Sequence, residues 1–168
     1  MQLKKSFLYL ILYLIIVGCG AYSFTGASIS SDTNSFQVNY FQNEAPLIEP
    51  GLERDFTLAL QDLILNQTNL DLVTSNGDLV YEGEIVEYRI SPTTATAQNI
   101  AAENRLTIGV NVRFFDRNDP EADMEQRFSF YFDYPGSAQL VGSQKDSVIE
   151  EILERLTQDI FNATLAKW

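Results

Sequence analysis

Apolar and polar residues alternate without a break in the stretch RLTIGVNVRF, residues 105–114. This period of two is typical of a β-strand that buries one face and exposes the other. A second alternating stretch, MEQRFSFYFDY at residues 124–134, follows the polar turn residues 116–120. Two such strands joined by a polar turn predict an antiparallel hairpin. The aromatic stripe of the second strand could line a lipid-binding groove, but its period of two favours a position in the core.

Apolar residues at helical spacing predict two helices. The first covers residues 52–66 and follows the breaking pair Pro50-Gly51. The second is predicted to open near Asp146-Ser147, where Glu150 is placed for a capping box, and to run to Leu165. Each helix has one apolar stripe, which needs a sheet or another helix to cover it.

Further strand patterns lie between these elements. Residues 35–41 alternate, residues 70–73 form a short apolar segment, and a longer strand begins at Leu79. The apolar phase of that strand slips near residues 83–86, which predicts a β-bulge. A loop is predicted from Ser91-Pro92 to about Asn99. We therefore expect an α+β fold, a two-layer sandwich with two helices on one face of a mixed, mostly antiparallel sheet of about four strands.

The sheet face opposite the helices is predicted to be polar and partly aromatic. We expect it to carry Thr107, Asn111, Ser129 and Tyr131 together with the arginines Arg105, Arg113 and Arg127. Arginine suits carboxylate and phosphate recognition, so these three arginines are the candidate contacts for a partner's carboxylate or phosphate groups. Pairing with glutamates across the strands is the alternative for each of them.

The N-terminus has the pattern of a bacterial lipoprotein signal. Lys4 and Lys5 precede an apolar run at residues 7–17, and Gly18 stands directly before Cys19, the single cysteine of the chain. Because the apolar run is about half of the ~20 residues that a membrane-spanning helix needs, cleavage and lipidation at Cys19 are the better interpretation. Two or more acyl chains on Cys19 would anchor the protein stably.

This signal defines the predicted domain organisation. Residues 1–18 are the signal peptide, residues 19–35 the lipidated N-terminus with a flexible tether, and residues 36–168 a single α+β domain. Gly20 follows the cysteine instead of the aspartate that retains lipoproteins in the inner membrane. We therefore expect the anchor to lie in the periplasmic leaflet of the outer membrane.

Composition restricts the chemistry of the chain. Cleavage removes two of the 11 basic residues and none of the 23 acidic ones, so the formal net charge goes from −12 to −14. Such a charge repels nucleic acids. Histidine is absent, Cys19 is assigned to lipid, and no glycine-rich phosphate loop occurs. The acids at 116–123 could bind calcium, but a hairpin turn is favoured. We expect no catalytic residue, no cofactor and no metal ion.

Several segments together resemble the LptE family of lipopolysaccharide-assembly lipoproteins, in its Bacteroidetes form. The segments are residues 19–26 (CGAYSFTG), 36–40, Pro46-Leu47, 65–68 (LNQT), 77–79 (GDL), 82–85 (EGEI), 160–163 (IFNA) and 166–168 (AKW). This resemblance implies a non-enzymatic protein that binds the β-barrel LptD, lies largely within its lumen and supports lipopolysaccharide insertion into the outer leaflet. It also makes Arg105, Arg113 and Arg127 the candidate contacts for the barrel or for lipopolysaccharide. A pilot or scaffold lipoprotein for a secretin or a cell-wall synthase is one alternative, and a small-ligand carrier is another.

Overall fold

The computed structural model describes residues 29–95, 101–136 and 139–166. Cys19 and the whole predicted signal peptide lie outside the described residues. The elements follow in the order β1 (Ser35–Val38), β2 (Gln42–Asn43), α1 (Leu52–Gln67), β3 (Asp71–Leu72), β4 (Leu79–Ala95), β5 (Ala101–Asp116), a short 3-10 turn (Pro120–Ala122), β6 (Met124–Pro135) and α2 (Gly142–Thr164).

One mixed sheet holds all six strands. Its order is β3-β1-β4-β5-β6, and β2 pairs with β4 beside β1. The pairs β1/β3, β1/β4 and β2/β4 are parallel, whereas β4, β5 and β6 form an antiparallel meander. The predicted fold class is therefore confirmed, with six strands instead of about four. Strands β2 and β3 have two residues each; β3 lies within the strand predicted at residues 70–73, and β2 was not predicted.

The core lies between the sheet and the two helices. Alternate residues of β5 are fully buried, and Val110 at the centre of the strand is 0% exposed. Phe128 and Tyr134 of β6 are buried, and Phe130 and Phe132 pack against the same core. The aromatic stripe is thus core, as the period of two predicted. Burial of these side chains is the main stabilising term for a fold of this kind.

The predicted β-bulge lies at Val86. Ile85 pairs with Val110, but the next pair is Glu87 with Gly109, so Val86 is the extra residue of β4. A one-residue slip moves every following side chain to the other face of a sheet. Tyr88 is therefore buried on the helix side, and Glu87 stands on the opposite side.

The structure corrects three local predictions. The segment after Ser91 is not a loop at first, because β4 continues to Ala95. Past Ile85, which pairs with Asn43, the described part of β4 pairs with β5 alone and forms an edge of the sheet. An edge strand tolerates a proline such as Pro92. Helix α2 begins at Gly142 without a side-chain cap, so the Ser147/Glu150 capping box is wrong. The first strand ends at Val38.

The chain reaches the domain earlier than residue 36. Ile29 packs against the core, and Thr33 is buried with its hydroxyl accepting a 3.0 Å hydrogen bond from Asn118 in the turn between β5 and β6. The last residues of the predicted tether therefore lie on the domain. Within the residues described, no helix has the length and apolar character to cross a membrane.

Candidate functional site on the open face of the sheet

Both helices pack on one face of the sheet, so the other face is open. Every residue predicted for this face stands on it, as the pairing Arg113 with Glu82 and Asn111 with Glu84 shows. The arginines at positions 105, 113 and 127 are all there. Arg105 and Arg113 each reach a carboxylate on a neighbouring strand, and Arg127 reaches Glu87 across β5. The structure thus brings together the candidate arginines and shows the cross-strand pairing considered as the alternative.

Arg113 bridges two glutamates of β4. Its Nε donates to Glu82 Oε1 at 3.1 Å, and a terminal nitrogen donates to Glu84 Oε2 at 3.2 Å. Asn111 Nδ2 donates to the remaining oxygen of Glu84 at 3.1 Å. The hydrogen bond to Glu82 is the main reason why the pKa of Arg113 is raised. This cluster fixes the side chains at the centre of the open face.

Glu87 joins two arginines above the bulge. Arg127 donates to its Oε2 at 2.6 Å, and Arg89 donates to its Oε1 at 2.8 Å. Gly109 lies beneath this cluster, and a Cβ at that position would stand 3.2 Å from the Arg127 guanidinium and 3.1 Å from Glu87 Cβ. The small residue therefore leaves room for the ion pair to cross β5.

Arg105 forms the third cluster, near the N-terminal end of β5. Its guanidinium donates two parallel hydrogen bonds to Asp133, at 2.7 and 2.8 Å, and lies 3.6 Å from the centre of the Tyr131 ring. The bonds from Arg105 lower the pKa of Asp133. Tyr131 itself is 48% exposed. The cluster combines a planar charge with an accessible aromatic surface, a composition common in protein interfaces.

The open face is acidic on balance. Within its described strands it carries four arginines and seven carboxylates: Arg89, Arg105, Arg113 and Arg127 with Asp71, Glu82, Glu84, Glu87, Glu103, Glu125 and Asp133. An anionic ligand would compete with carboxylates that already pair with all four guanidinium groups. The geometry suits docking against a polar protein surface better than capture of phosphate groups.

The acidic turn between β5 and β6 is built from local hydrogen bonds. Asp116 accepts from the backbone N–H groups of Asn118 and Asp119, and Asp123 accepts from the N–H of Asp116. These are the bonds of a capped turn. In the described part of the chain, no group of three acidic, histidine or cysteine residues is arranged to hold a metal ion.

Sequence reasoning missed a cleft on the opposite side of the domain. It lies between the flanks of α1 and α2 and has a volume of about 750 Å³. Glu49 and Lys145 pair at one end of it at 2.6 Å. The cleft depends on how two sequence-distant helices are placed, and no local pattern reports this.

Comparison with known proteins decides the family. The sequence model of the family described as LptE, lipopolysaccharide-assembly, matches residues 33–164. The chain belongs to the LptE family. The match spans β1 to the end of α2, so the sheet and both helices are LptE elements, and the family's role is lipopolysaccharide assembly in outer-membrane biogenesis. Comparison with curated protein sequences finds no match.

Solved structures with the same LptE-like fold include two lipoproteins. Lipoprotein B from Nitrosomonas europaea is 13% identical with a TM-score of 0.53, over 85% of this chain and 87% of its own. The rare lipoprotein B from Shewanella oneidensis is 13% identical with a TM-score of 0.52, over 77% and 90%. A PelC variant from Paraburkholderia phytofirmans, which forms a dodecamer, is 9% identical with a TM-score of 0.50, over 84% and 94%. At these identities the likeness concerns the fold alone.

Proposed function

We propose that this chain is an outer-membrane lipoprotein, anchored through Cys19 in the periplasmic leaflet, that partners the β-barrel protein LptD. It acts as a plug and assembly factor, and it supports insertion of lipopolysaccharide into the outer leaflet. The observation that carries the proposal is the LptE match over residues 33–164. The proposed role is stoichiometric, since the sequence contains no histidine and its single cysteine is assigned to lipid.

The open face is the proposed contact with the barrel. The helices cover the other side of the sheet. On the open face, the ion pairs of Arg105, Arg113 and Arg127 connect strands β4, β5 and β6. The excess of carboxylates over arginines favours contact with a polar protein surface over contact with an anionic glycolipid. Direct lipopolysaccharide contact by these three arginines would require their intramolecular carboxylates to be displaced, so barrel binding is the primary assignment.

Co-purification from detergent-solubilised outer membranes tests the partner. We expect a heat-modifiable barrel protein to be recovered with the chain in a stoichiometric amount. Depletion should leave that barrel misassembled and the cells sensitive to bulky antibiotics. Recovery of a secretin or a peptidoglycan synthase, with a normal barrel level and an intact permeability barrier, would replace this proposal with the pilot-lipoprotein alternative.

Neutral substitutions test the contact surface. Reversing Arg113 would place three carboxylates together, because Glu82 and Glu84 already flank it. Arg113→Gln with Arg127→Gln avoids that repulsion and should lower barrel recovery while the protein level stays unchanged. The matched control is Arg117→Gln with Arg155→Gln, two exposed arginines away from the open face. Equal recovery with both double variants would show that the open face is not the contact.

A further inference from the structure

The cleft between the helices is bounded at both ends. Glu49 and Lys145 pair where the helices begin, and Gln67 Nε2 donates to Gln158 Oε1 at 3.0 Å where α1 ends. The helices therefore run in the same direction along the cleft. The lining residues span 49–66 on one side, about 25 Å at 1.5 Å per residue. That length matches about four turns of a further helix.

The floor of the cleft is apolar. Leu52, Ala59 and Leu63 line it from the α1 side, and Ile149 and Leu153 line it from α2. Ala59, Leu63 and Ile149 are half-buried, so part of their surface is accessible within the cleft. A floor of this kind binds the apolar stripe of an amphipathic helix, which presents side chains at every third or fourth position.

The walls of the cleft are acidic. Five acidic and two basic residues line it: Glu49, Asp55, Asp146, Glu150 and Glu154 with Arg54 and Lys145. Both bases already bind acids of the same walls, Arg54 to Asp55 at 2.8 Å and Lys145 to Glu49 at 2.6 Å. Asp146, Glu150 and Glu154 are exposed on the α2 wall. An anionic lipid is repelled by such walls, whereas flanking lysines or arginines are attracted.

We propose that this cleft binds a basic amphipathic helix of a partner protein, with its apolar stripe on the floor and its cations against the α2 wall. The chain itself does not supply this segment between its predicted anchor and its domain, because residues 20–28 contain no lysine or arginine. The cleft and the open face lie on opposite sides of the domain. A basic helix would therefore contact residues that the proposed barrel contact on the open face does not use, and the two proposals are tested separately.

A model peptide tests the proposal without knowledge of the partner. The probe is a 14-residue peptide of leucine and lysine with the leucines on one helical face. Two controls are a scrambled peptide and a peptide with glutamate in place of lysine. The protein is the predicted mature chain, residues 19–168, with Cys19→Ser; it lacks the predicted acylation site and retains every described core residue. We expect binding of the amphipathic lysine peptide alone, measured by fluorescence anisotropy.

Variants locate the binding. Glu150→Lys with Glu154→Lys should weaken binding about tenfold at low salt, because both charges lie on the cleft wall. Glu151→Lys with Asp159→Lys changes the net charge equally on exposed positions of the same helix outside the cleft, and should alter binding far less. If the first pair unfolds the domain in a thermal melt, Glu150→Gln with Glu154→Gln replaces it.

An NMR titration with the lysine peptide shows independently where the peptide binds. Amide shifts in an NMR titration should change at residues 52–66 and 145–157 and not on β5 or β6. Equal weakening by the two lysine pairs, equal binding of the scrambled peptide, or shifts confined to the open face would each overturn the proposal. These outcomes reflect only non-specific attraction to an acidic protein. None of them bears on whether the chain partners a barrel.

Discussion

Tyr81 and Thr164 form a buried hydrogen-bonded pair, and we expect substitution of Thr164 to destabilise the fold more than substitution of Tyr81. The Tyr81 hydroxyl lies 3.0 Å from Thr164 Oγ1, which also lies 2.8 Å from the carbonyl oxygen of Ile160. Thr164 has a single hydroxyl proton, which it donates to that carbonyl. The Tyr81 hydroxyl therefore donates to Thr164, and this bond ties the start of the described β4 to the last turn of α2.

The loss in the free energy of unfolding depends on whether the remaining hydroxyl group still has a hydrogen-bond partner. Tyr81→Phe removes the donor and leaves the Thr164 hydroxyl bonded to the backbone, so it should cost about 1 kcal/mol. Thr164→Val leaves the fully buried Tyr81 hydroxyl without a partner, which should cost up to about 3 kcal/mol. The double variant leaves neither group unpaired. It should cost about as much as Tyr81→Phe alone, well below the sum of the two single changes.

Urea unfolding of the four proteins, followed by circular dichroism, measures these differences. The thermal midpoints should fall by about 2–4 °C for each kcal/mol in a domain of this size. The reasoning is refuted if Thr164→Val is no more destabilising than Tyr81→Phe, or if the two effects add. Either result would mean that the hydroxyl of Tyr81 finds another partner or water when Thr164 is replaced.

Three other predictions concern the core, the pH response and the anchor. Val110→Asp should cost several kcal/mol of a total of about 5–15, whereas Ser129→Asp on the exposed face should change the melting temperature little. Burial raises the pKa of both Tyr81 and Tyr88 from 10.0, so the unfolded chain loses these protons first and stability should fall as pH rises above about 10. Denaturation at graded alkaline pH checks this, and Tyr81→Phe should flatten the decline. Cys19→Ala should abolish palmitate labelling and leave the product uncleaved or soluble, and unchanged processing in globomycin would contradict the lipoprotein assignment.

The sequence predicted the helices and strands that are long enough for their apolar residues to show a regular spacing. Ten alternating residues at 105–114 define β5, and the phase slip near Val86 revealed the bulge, because a half-buried strand must keep its apolar side inward. Strand β3 lies within the short strand predicted at residues 70–73, whereas β2 was not predicted, since its two residues have no period. The start of α2 was misplaced because Val141 provides no side-chain cap while Ser147 and Glu150 imitate one further on.

The sequence predicts which residues lie on the open face, but not which side chains they pair with. Alternation alone put Arg113 and Arg127 on the open face. Their partners depend on the register between strands, and the bulge sets that register for Glu87. The cleft between α1 and α2 escaped altogether, because its acidic wall and apolar floor belong to segments about 90 residues apart that only the folded chain brings together.

The contact between Thr33 and Asn118 fixes where the chain that leads from the proposed Cys19 anchor reaches the domain. It fastens the incoming chain to the 116–123 end of the sheet, and the other end of β5 begins at Ala101. The 16 residues of that strand cover about 50 Å, more than the ~30 Å hydrocarbon layer of a membrane. Along β5 the domain is thus longer than the hydrocarbon layer is thick. In the proposed complex, its open face would offer contacts to the barrel wall along the whole length of that strand.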